Sequence, residues 1–250
     1  GWDTQHMLRL MLLSSTFAQS SSVSPEVREA DPGNRWLARG PSRRLSAEMM
    51  RDQALAASGL LVKEIGGPPV KPYQPDGLWA ALATRNGTSY QEDTGDKLHR
   101  RSLYTLWKRT VPPPMMTTFD ASERNLCAVQ RQSTSTPLQA LVLMNDPQFF
   151  EAARVLAERM ILEGGTEPRD RIALGFRALT GRDPSDAESQ TLTELLFEQQ
   201  LAFSSRPAAA RSLLANGEHP ADRRIPPLET AAYAVVATTI MNFDGATMLR

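Results

Sequence analysis

The chain is poor in the residues that announce chemistry most directly. It has one cysteine, Cys127, and three histidines, His6, His99 and His219, among 250 residues. A single thiol excludes an internal disulfide, a CxxC metal clamp and a CxxCH haem attachment. Cys127 is expected to be a small buried apolar side chain. A nucleophilic role would need a base beside it, and the histidines are scattered in sequence. Excess charge is also missing, because 28 Lys and Arg balance 28 Asp and Glu. That balance argues against a dedicated nucleic-acid binder, whose footprint is a basic excess. It also gives little protection against association, which favours contacts with other domains. No apolar run is long enough to cross a bilayer: residues 8–13 are too few, and Trp2 and Asp3 stand where a leader would carry basic residues. The HExxH, GxSxG, P-loop, GxGxxG and EF-hand patterns are absent.

What the chain does have is helix punctuation. Residues 2–19 carry apolar side chains at helical spacing (Met7, Leu10, Met11), which predicts an amphipathic helix ended by Pro25. Residues 26–41 read as polar and irregular, anchored on the core by Trp36 and Leu37. Ser46 is an N-cap with Glu48 in the first turn. It predicts a helix with Met50, Ala54, Ala57 and Leu61 inward, stopping near Gly66-Gly67-Pro68-Pro69. Those prolines remove the donors that a phosphate-cradling loop would need. Residues 70–94 are turn-rich, with a short helix over 78–82 carrying Trp79. Asn86-Gly87 is a turn signal, and with Thr88 it matches a glycosylation acceptor.

Thr136-Pro137-Leu138-Gln139 has a capping-box layout and predicts a buried helix over 138–144. Asp146-Pro147 starts another, with Phe150, Ala153, Leu156 or Ala157, and Met160 inward, ended by Gly164-Gly165. Thr166 is the expected cap of a third helix, with Ile172, Phe176 and Leu179 inward and Gly181 after it. Ser185-Asp186-Ala187-Glu188 is a second capping box. A short helix from Pro207 and a last helix behind Pro226-Pro227, apolar nearly all round and therefore buried, complete the set. The fold expected is mainly α: one multi-helix domain over residues 1–250, with long irregular loops and at most a short β element. Within it, 1–95 holds helices and turns, 96–135 is an irregular central segment, and 136–250 is a helical body.

The central segment carries the candidate site. Tyr, Thr and Trp over 102–107 suggest a strand or extended stretch, and Pro112-Pro113-Pro114 a stiff spacer behind it. The candidate ligand-binding residues are Arg100, Arg101, Tyr104, Trp107, Lys108, Arg109 and Asp120. With Lys97 and His99, the arginines and lysine could hold an anionic glycan, since guanidinium is a planar bidentate donor. Alternatively they pair with Glu92, Asp93, Asp96 and Asp120 inside the domain. Trp79, Tyr90, Tyr104 and Trp107 are either stacking platforms for sugar rings or core anchors. Asp120 and Glu123 have the spacing of a carboxylate pair, though Asp120 reads more simply as the N-cap of a turn over 121–126.

Several blocks carry a family resemblance. They are GWDTQHMLRLMLLSSTFAQSS, RLSAEMMRDQALAASGLL, GGPPVKPYQPDGLW, the long stretch RRSLYTLWKRTVPPPMMTTFDASERNLCAVQRQSTSTPLQALVLMNDPQFFEAARVLAERM, ALTGRDPSDAE and NFDGATMLR. Together they resemble a planctomycete-specific C-terminal domain of unknown function, found in large secreted proteins that often carry a cytochrome c-like domain. The chain departs from that pattern at Leu8, where histidine is common, and at Phe17-Ala18, where Tyr-Arg is common. The resemblance implies an extracytoplasmic, multidomain parent of which this is an N-terminally incomplete piece. Its partners would be upstream domains of the same parent, any haem would lie in one of those domains and none in this chain, and no catalytic residue carries over. It implies an accessory or binding module of a redox-associated protein linked to polysaccharide use. The competing expectation is a hydrolytic or oxidative enzyme domain acting on complex polysaccharides.

Overall fold

The structure, a computed structural model, describes residues 1–81 and 89–249. The Asn86-Gly87 turn and the Asn86-Gly87-Thr88 acceptor lie outside the described residues. The chain is mainly helical and divides into two compact units, Gly1–Leu45 with Thr247–Arg250, and Ser46–Ala246. Among the described residues no helix is long and apolar enough to cross a membrane.

In the smaller unit, α1 (Thr4–Leu12) starts at Asp3, whose carboxylate accepts from the His6 amide. The helix stops short of the predicted Gln19. The Ser14 hydroxyl donates to the Met11 carbonyl and accepts from the Phe17 amide, folding 14–18 into turns. Side chain–backbone competition of this kind is what serine brings to a helix interior. α2 (Pro25–Ala30) occupies a stretch expected to be irregular: Ser24 caps it, and Pro25 stands at the first helical position, where its missing N–H costs nothing. The Asp31 carboxylate then accepts from the Arg35 and Trp36 amides, while Arg39 donates to the Asp31 and Pro32 carbonyls. This polar clasp shapes the turn, and Trp36 and Leu37, expected as anchors, are 73% and 62% exposed. Two short strands, β1 (Arg43–Arg44) and β2 (Met248–Leu249), pair antiparallel with Arg43 opposite Leu249.

The larger unit begins at α3 (Ala47–Ser58). The Ser46 hydroxyl accepts from the Met49 amide, and Gly59 closes the helix in the left-handed region at φ +86°. The stop comes about two turns before the Gly-Gly-Pro-Pro run, because glycine alone reaches that backbone state without strain. α4 (Leu78–Ala81) buries Trp79. Residues 95–111 form no strand. Two single 3-10 turns, Gly95–His99 and Ser102–Tyr104, alternate with isolated bridges from Arg100 to Val62 and from Thr105 to Val70. Pro113 and Pro114 open α5 (Pro114–Thr118) instead of extending a spacer.

α6 (Pro137–Asn145) and α7 (Pro147–Glu163) begin where Thr136 and Asp146 predict. The capping box at Thr136 is one-sided. Thr136 accepts from the Gln139 amide, but the buried Gln139 side chain donates to the Thr118 carbonyl and the Thr134 hydroxyl. Nor is α6 buried as expected: it turns Leu143 inward and leaves Leu138, Leu141 and Met144 more than half exposed. α7 fulfils its stripe, with Phe150, Ala153, Leu156, Ala157 and Met160 all buried. α8 (Pro168–Thr180) buries Ile172, Phe176 and Leu179; its N-cap is Glu167, one residue beyond Thr166, and Gly181 ends it at φ +74°. α9 (Asp186–Ser205) has the full capping box between Ser185 and Glu188. α10 (Pro207–Leu214) and α11 (Pro227–Asn242) follow. α11 is the hub, packing on α7, α9, α10, α6 and α8. Its alanine-rich surface lets neighbouring backbones approach closely, with Ala231, Ala232, Ala234 and Ala237 fully buried.

Candidate functional site

The irregular segment is held to the helical body by one buried arginine. Arg51 on α3 is 1% exposed. Its guanidinium donates to the Leu98 carbonyl at 2.5 Å, to the Arg100 carbonyl at 2.7 Å, to the Ser102 hydroxyl at 3.3 Å, and to Gln148 Oε1 on α7. Burial lowers it to about 10, opposed by the charges of Asp52 and Asp146, so it stays a cation at neutral pH. Next to it, Asp52 accepts from the Ser102 amide at 2.7 Å and from Arg101 Nε at 3.2 Å. The start of the segment is thereby tied to α3, and beyond it, through residue 107, the backbone pairs only once, through Tyr104 and Leu106 with Val70, in a single bridge at Thr105. The β-favouring composition of 102–107 thus yields one bridge and no strand.

The candidate residues are distributed along this segment. Arg100 is buried, with its guanidinium 4.0 Å over the Tyr104 ring and donating to the carbonyls of Glu64, Gly66 and Pro68. The Tyr104 hydroxyl accepts from the Gly66 amide at 2.8 Å. Together the two clamp the Gly-Gly-Pro-Pro loop. Arg101 is exposed beside Asp52. Lys108 lies 4.5 Å over the Trp79 ring, and Arg124 lies 4.4 Å over Trp107. Arg109 is exposed. The acids expected as partners serve elsewhere: Glu92 accepts from the Gln74 amide and Asp93 from the Lys71 amide. Trp79 packs on Tyr90 with centroids 5.1 Å apart and donates to Gln74 Oε1.

Two expectations are corrected here. Asp120 caps no turn over 121–126. It sits at φ +60°, and its carboxylate accepts from the Thr134 amide at 2.7 Å and from the Thr134 hydroxyl, closing an exposed loop between them. Cys127 is exposed within that loop, because the clasp holds the loop away from any apolar packing.

A second polar cluster joins residues that lie far apart in sequence. Glu151 on α7 is 1% exposed. Its Oε2 lies 2.9 Å from His99 Nε2, and its Oε1 accepts from the His219 amide at 2.6 Å. The Tyr73 hydroxyl donates to the same carboxylate and accepts from the Glu218 amide. Burial alone would raise the Glu151 carboxyl, but the bonds from His99 and the loop amides outweigh it and hold it below its ordinary value. Burial and the Glu151 charge push the Tyr73 phenol up. One and two turns on, Arg154 bonds Glu158 at 2.8 Å and the His219 carbonyl at 2.5 Å. The rings of His99 and His219 are 6.3 Å apart. The sequence signal for this cluster is the spacing of Glu151, Arg154 and Glu158, three charges along one strip of α7, apart from the Arg159–Glu163 pair on another side.

Between these two clusters the larger unit opens a cavity of about 510 Å³. Tyr73, Gln74 and Thr105 from the irregular chain face α5 (Met115, Met116), α6 (Leu141, Val142) and the α7 start (Asp146, Gln148) across it. Pro72, Pro75, Pro113, Pro114 and Pro147 add rigid apolar wall without an N–H. None of the seven candidate residues lines it. Asp146 accepts from the Gln148 amide at 2.9 Å. Burial nevertheless pushes its carboxyl up to about 6, against the pull of those amides and of Arg51. Among the described residues no group of three or more His, Cys, Asp or Glu is placed to hold a metal ion.

No curated protein and no solved structure matches the chain. A family model does, over residues 1–196, which takes in the smaller unit's first 45 residues, the arginine-held segment, the cavity walls and most of α9. By that match the chain belongs to PSD1, the proteins of unknown function also designated DUF1553.

Proposed function

We propose that this chain is an accessory, binding module of a larger secreted protein and not its catalytic part. The observation that supports this is the cavity: apolar, walled by five prolines, and bordered by a segment that Arg51 fixes in place. Sites built to hold a ligand are largely pre-formed and mostly apolar, with a few polar groups that set orientation, and rigid walls reduce the entropy lost on binding. The family resemblance adds the setting: an extracytoplasmic, planctomycete-type parent with an upstream cytochrome c-like domain that would carry the haem, working in the use of complex polysaccharides. Exposed Arg101 and Arg109 are the positions at which an anionic glycan would meet the segment.

A second reading has one observation behind it. The buried Glu151–His99 pair, with the Tyr73 hydroxyl on the same carboxylate, is the kind of proton-handling group a hydrolytic or oxidative domain would use. One experiment separates the two. The complete parent and this chain are incubated with a panel of sulfated and neutral polysaccharides, with haem loaded and absent. Binding without product supports the module. Turnover that Glu151→Gln abolishes, with the melting temperature retained, supports the enzyme and overturns the module.

A further inference from the structure

Residues 1–45 are built with their apolar side chains outward. Among the described residues none of the buried apolar side chains lies there, and eleven large ones are exposed, including Met7, Leu8, Leu10, Met11 and Leu12 of α1, each more than half open. Single apolar residues on a surface need no explanation, but a concentration of them marks an interaction site. What holds this unit in shape is polar instead. The Asp31 carboxylate, itself buried, takes the Arg35 and Trp36 amides. The Asn34 side chain donates to the Arg39 carbonyl at 2.7 Å and accepts from the Arg39 amide at 3.2 Å. Within this network Asn34 and Leu37 stand at φ +49° and +53°, the left-handed region that a leucine seldom enters. Backbone held there persists where its surroundings over-determine it, and such positions gather at ligand clamps. The loop 31–39 is thus fixed with Trp36 and Leu37 on its outside.

The charge around this tip has one sign. Residues 35–44 hold four arginines and no acid, in a chain whose totals balance. Arg35 and Arg43 are exposed and, among the described residues, form no ion pair. Arg39 donates to the Asp31 and Pro32 carbonyls, which leaves its charge in place. A partner must therefore offer negative charge together with apolar matter. A second copy brings the same arginines and is repelled by them. A charged polysaccharide brings hydroxyls where Leu37 needs apolar contact. A bilayer with anionic headgroups brings both: its interface suits the indole of tryptophan, its acyl boundary takes aliphatic side chains, and its phosphates attract arginine. The open side chains of α1 spread over more than half its circumference, which a deformable acyl surface covers more readily than a shaped groove. At nine residues α1 is too short to cross, so the contact is with one face of the membrane.

We propose that the loop 31–39, with the arginines of 35–44 around it, is a membrane-surface anchor that inserts Trp36 and Leu37 among the headgroups of a bilayer containing anionic lipid. The smaller unit thereby tethers the chain to a membrane face without crossing it. This goes beyond the binding-module reading and holds whatever the cavity takes.

The test sediments the full chain with vesicles of mixed phosphatidylglycerol and phosphatidylcholine, and with vesicles of phosphatidylcholine alone. The expected result is binding to the mixed vesicles and not to the neutral ones, weakening as added salt screens the arginines. Arg35→Gln combined with Arg43→Gln lowers the affinity about thirtyfold, at about fivefold for each arginine. Trp36→Ser combined with Leu37→Asn lowers it about tenfold or more, for two apolar side chains no longer buried. Brominated lipid in the mixed vesicles quenches the fluorescence of the parent more than that of Trp36→Ser. All four side chains are exposed, so circular dichroism shows the helices unchanged in each variant. The proposal is overturned if the chain does not sediment with the mixed vesicles, if it binds neutral ones as tightly, or if either double variant binds as the parent does. It is overturned as well if ultracentrifugation finds the parent dimeric and the Trp36→Ser, Leu37→Asn chain monomeric, for a second copy then covers the tip.

Discussion

Replacing Arg51 by methionine removes the donor set that joins α3, the irregular segment and α7. The substitution keeps a flexible apolar stem of similar reach, so packing changes little while all four bonds vanish. The Leu98 and Arg100 carbonyls and Gln148 Oε1 are then buried without that donor. Each orphaned acceptor costs about 1–3 kcal/mol. Against this stands the relief of no longer burying a guanidinium, several kcal/mol in the other direction. Three such acceptors cost about 3–9 kcal/mol together, so the net loss is on the order of 2–4 kcal/mol, a large share of the roughly 5–15 kcal/mol that holds a domain together. Urea unfolding followed by tryptophan fluorescence measures the difference. Hydrogen exchange at 98–106 shows whether the loosening is local, as expected, with amides such as Ser102 and Leu106 losing protection before those of α7 and α11. A loss under about 1 kcal/mol, or unchanged exchange in that segment, would refute the view that Arg51 fixes the cavity wall.

Three further outcomes follow from particular residues. Asp146, ordinarily near 3.8 and raised to about 6 by burial, favours the folded state when protonated, so its contribution is present below about 3.8 and is lost as pH rises to about 6. Asp146→Asn keeps a capping oxygen and has no proton to lose, so its melting temperature relative to the parent should climb across that interval in a pH series. Gly217→Ala forces a side chain at φ +88° with its Cβ 2.6 Å from the Glu151 carboxyl; calorimetry should register a loss of about 1–3 kcal/mol, and the His219 amide should lose protection. Cys127 should react with a thiol reagent at the rate of an unfolded control without denaturant, since it is exposed in the native chain.

Local chemistry was readable in the sequence and distant pairing was not. Ser46, Asp146 and the Ser185–Glu188 box start helices because the cap and the amides it satisfies are at most three residues apart. Gly181 stops one for an equally local reason. The inward stripes of α7 and α8 follow from period alone. Arg51 gives no such signal: a charged residue in an amphipathic helix reads as solvent-facing, and only the fold brings Leu98 and Arg100 to it. The same holds for His99, Glu151 and His219, whose meeting depends on chain separations of 52 and 68 residues. The strand or extended stretch expected over 102–107 reduces to one bridge from Thr105 to Val70, with Asp52 holding the Ser102 amide at its start. The burial expected of Cys127 and of Leu138–Met144 failed because composition does not reveal which side of a helix or loop finds a neighbour.

The Asp120–Thr134 clasp closes a stretch whose ties to the rest of the unit, Arg124 over Trp107 and Arg131 with Glu48, lie on either side of Leu126–Val129. Its two ends are stapled together by three contacts on one carboxylate, and the residues between them contribute no buried apolar surface beyond Ala121. Doubling such a loop costs only about 0.6 kcal/mol of closure entropy. Around Leu126–Val129, then, a reporter, an affinity handle or a fresh pair of chain ends could be grafted while the helices and the cavity keep their places. The molecule carries its own attachment point on the outside of the fold.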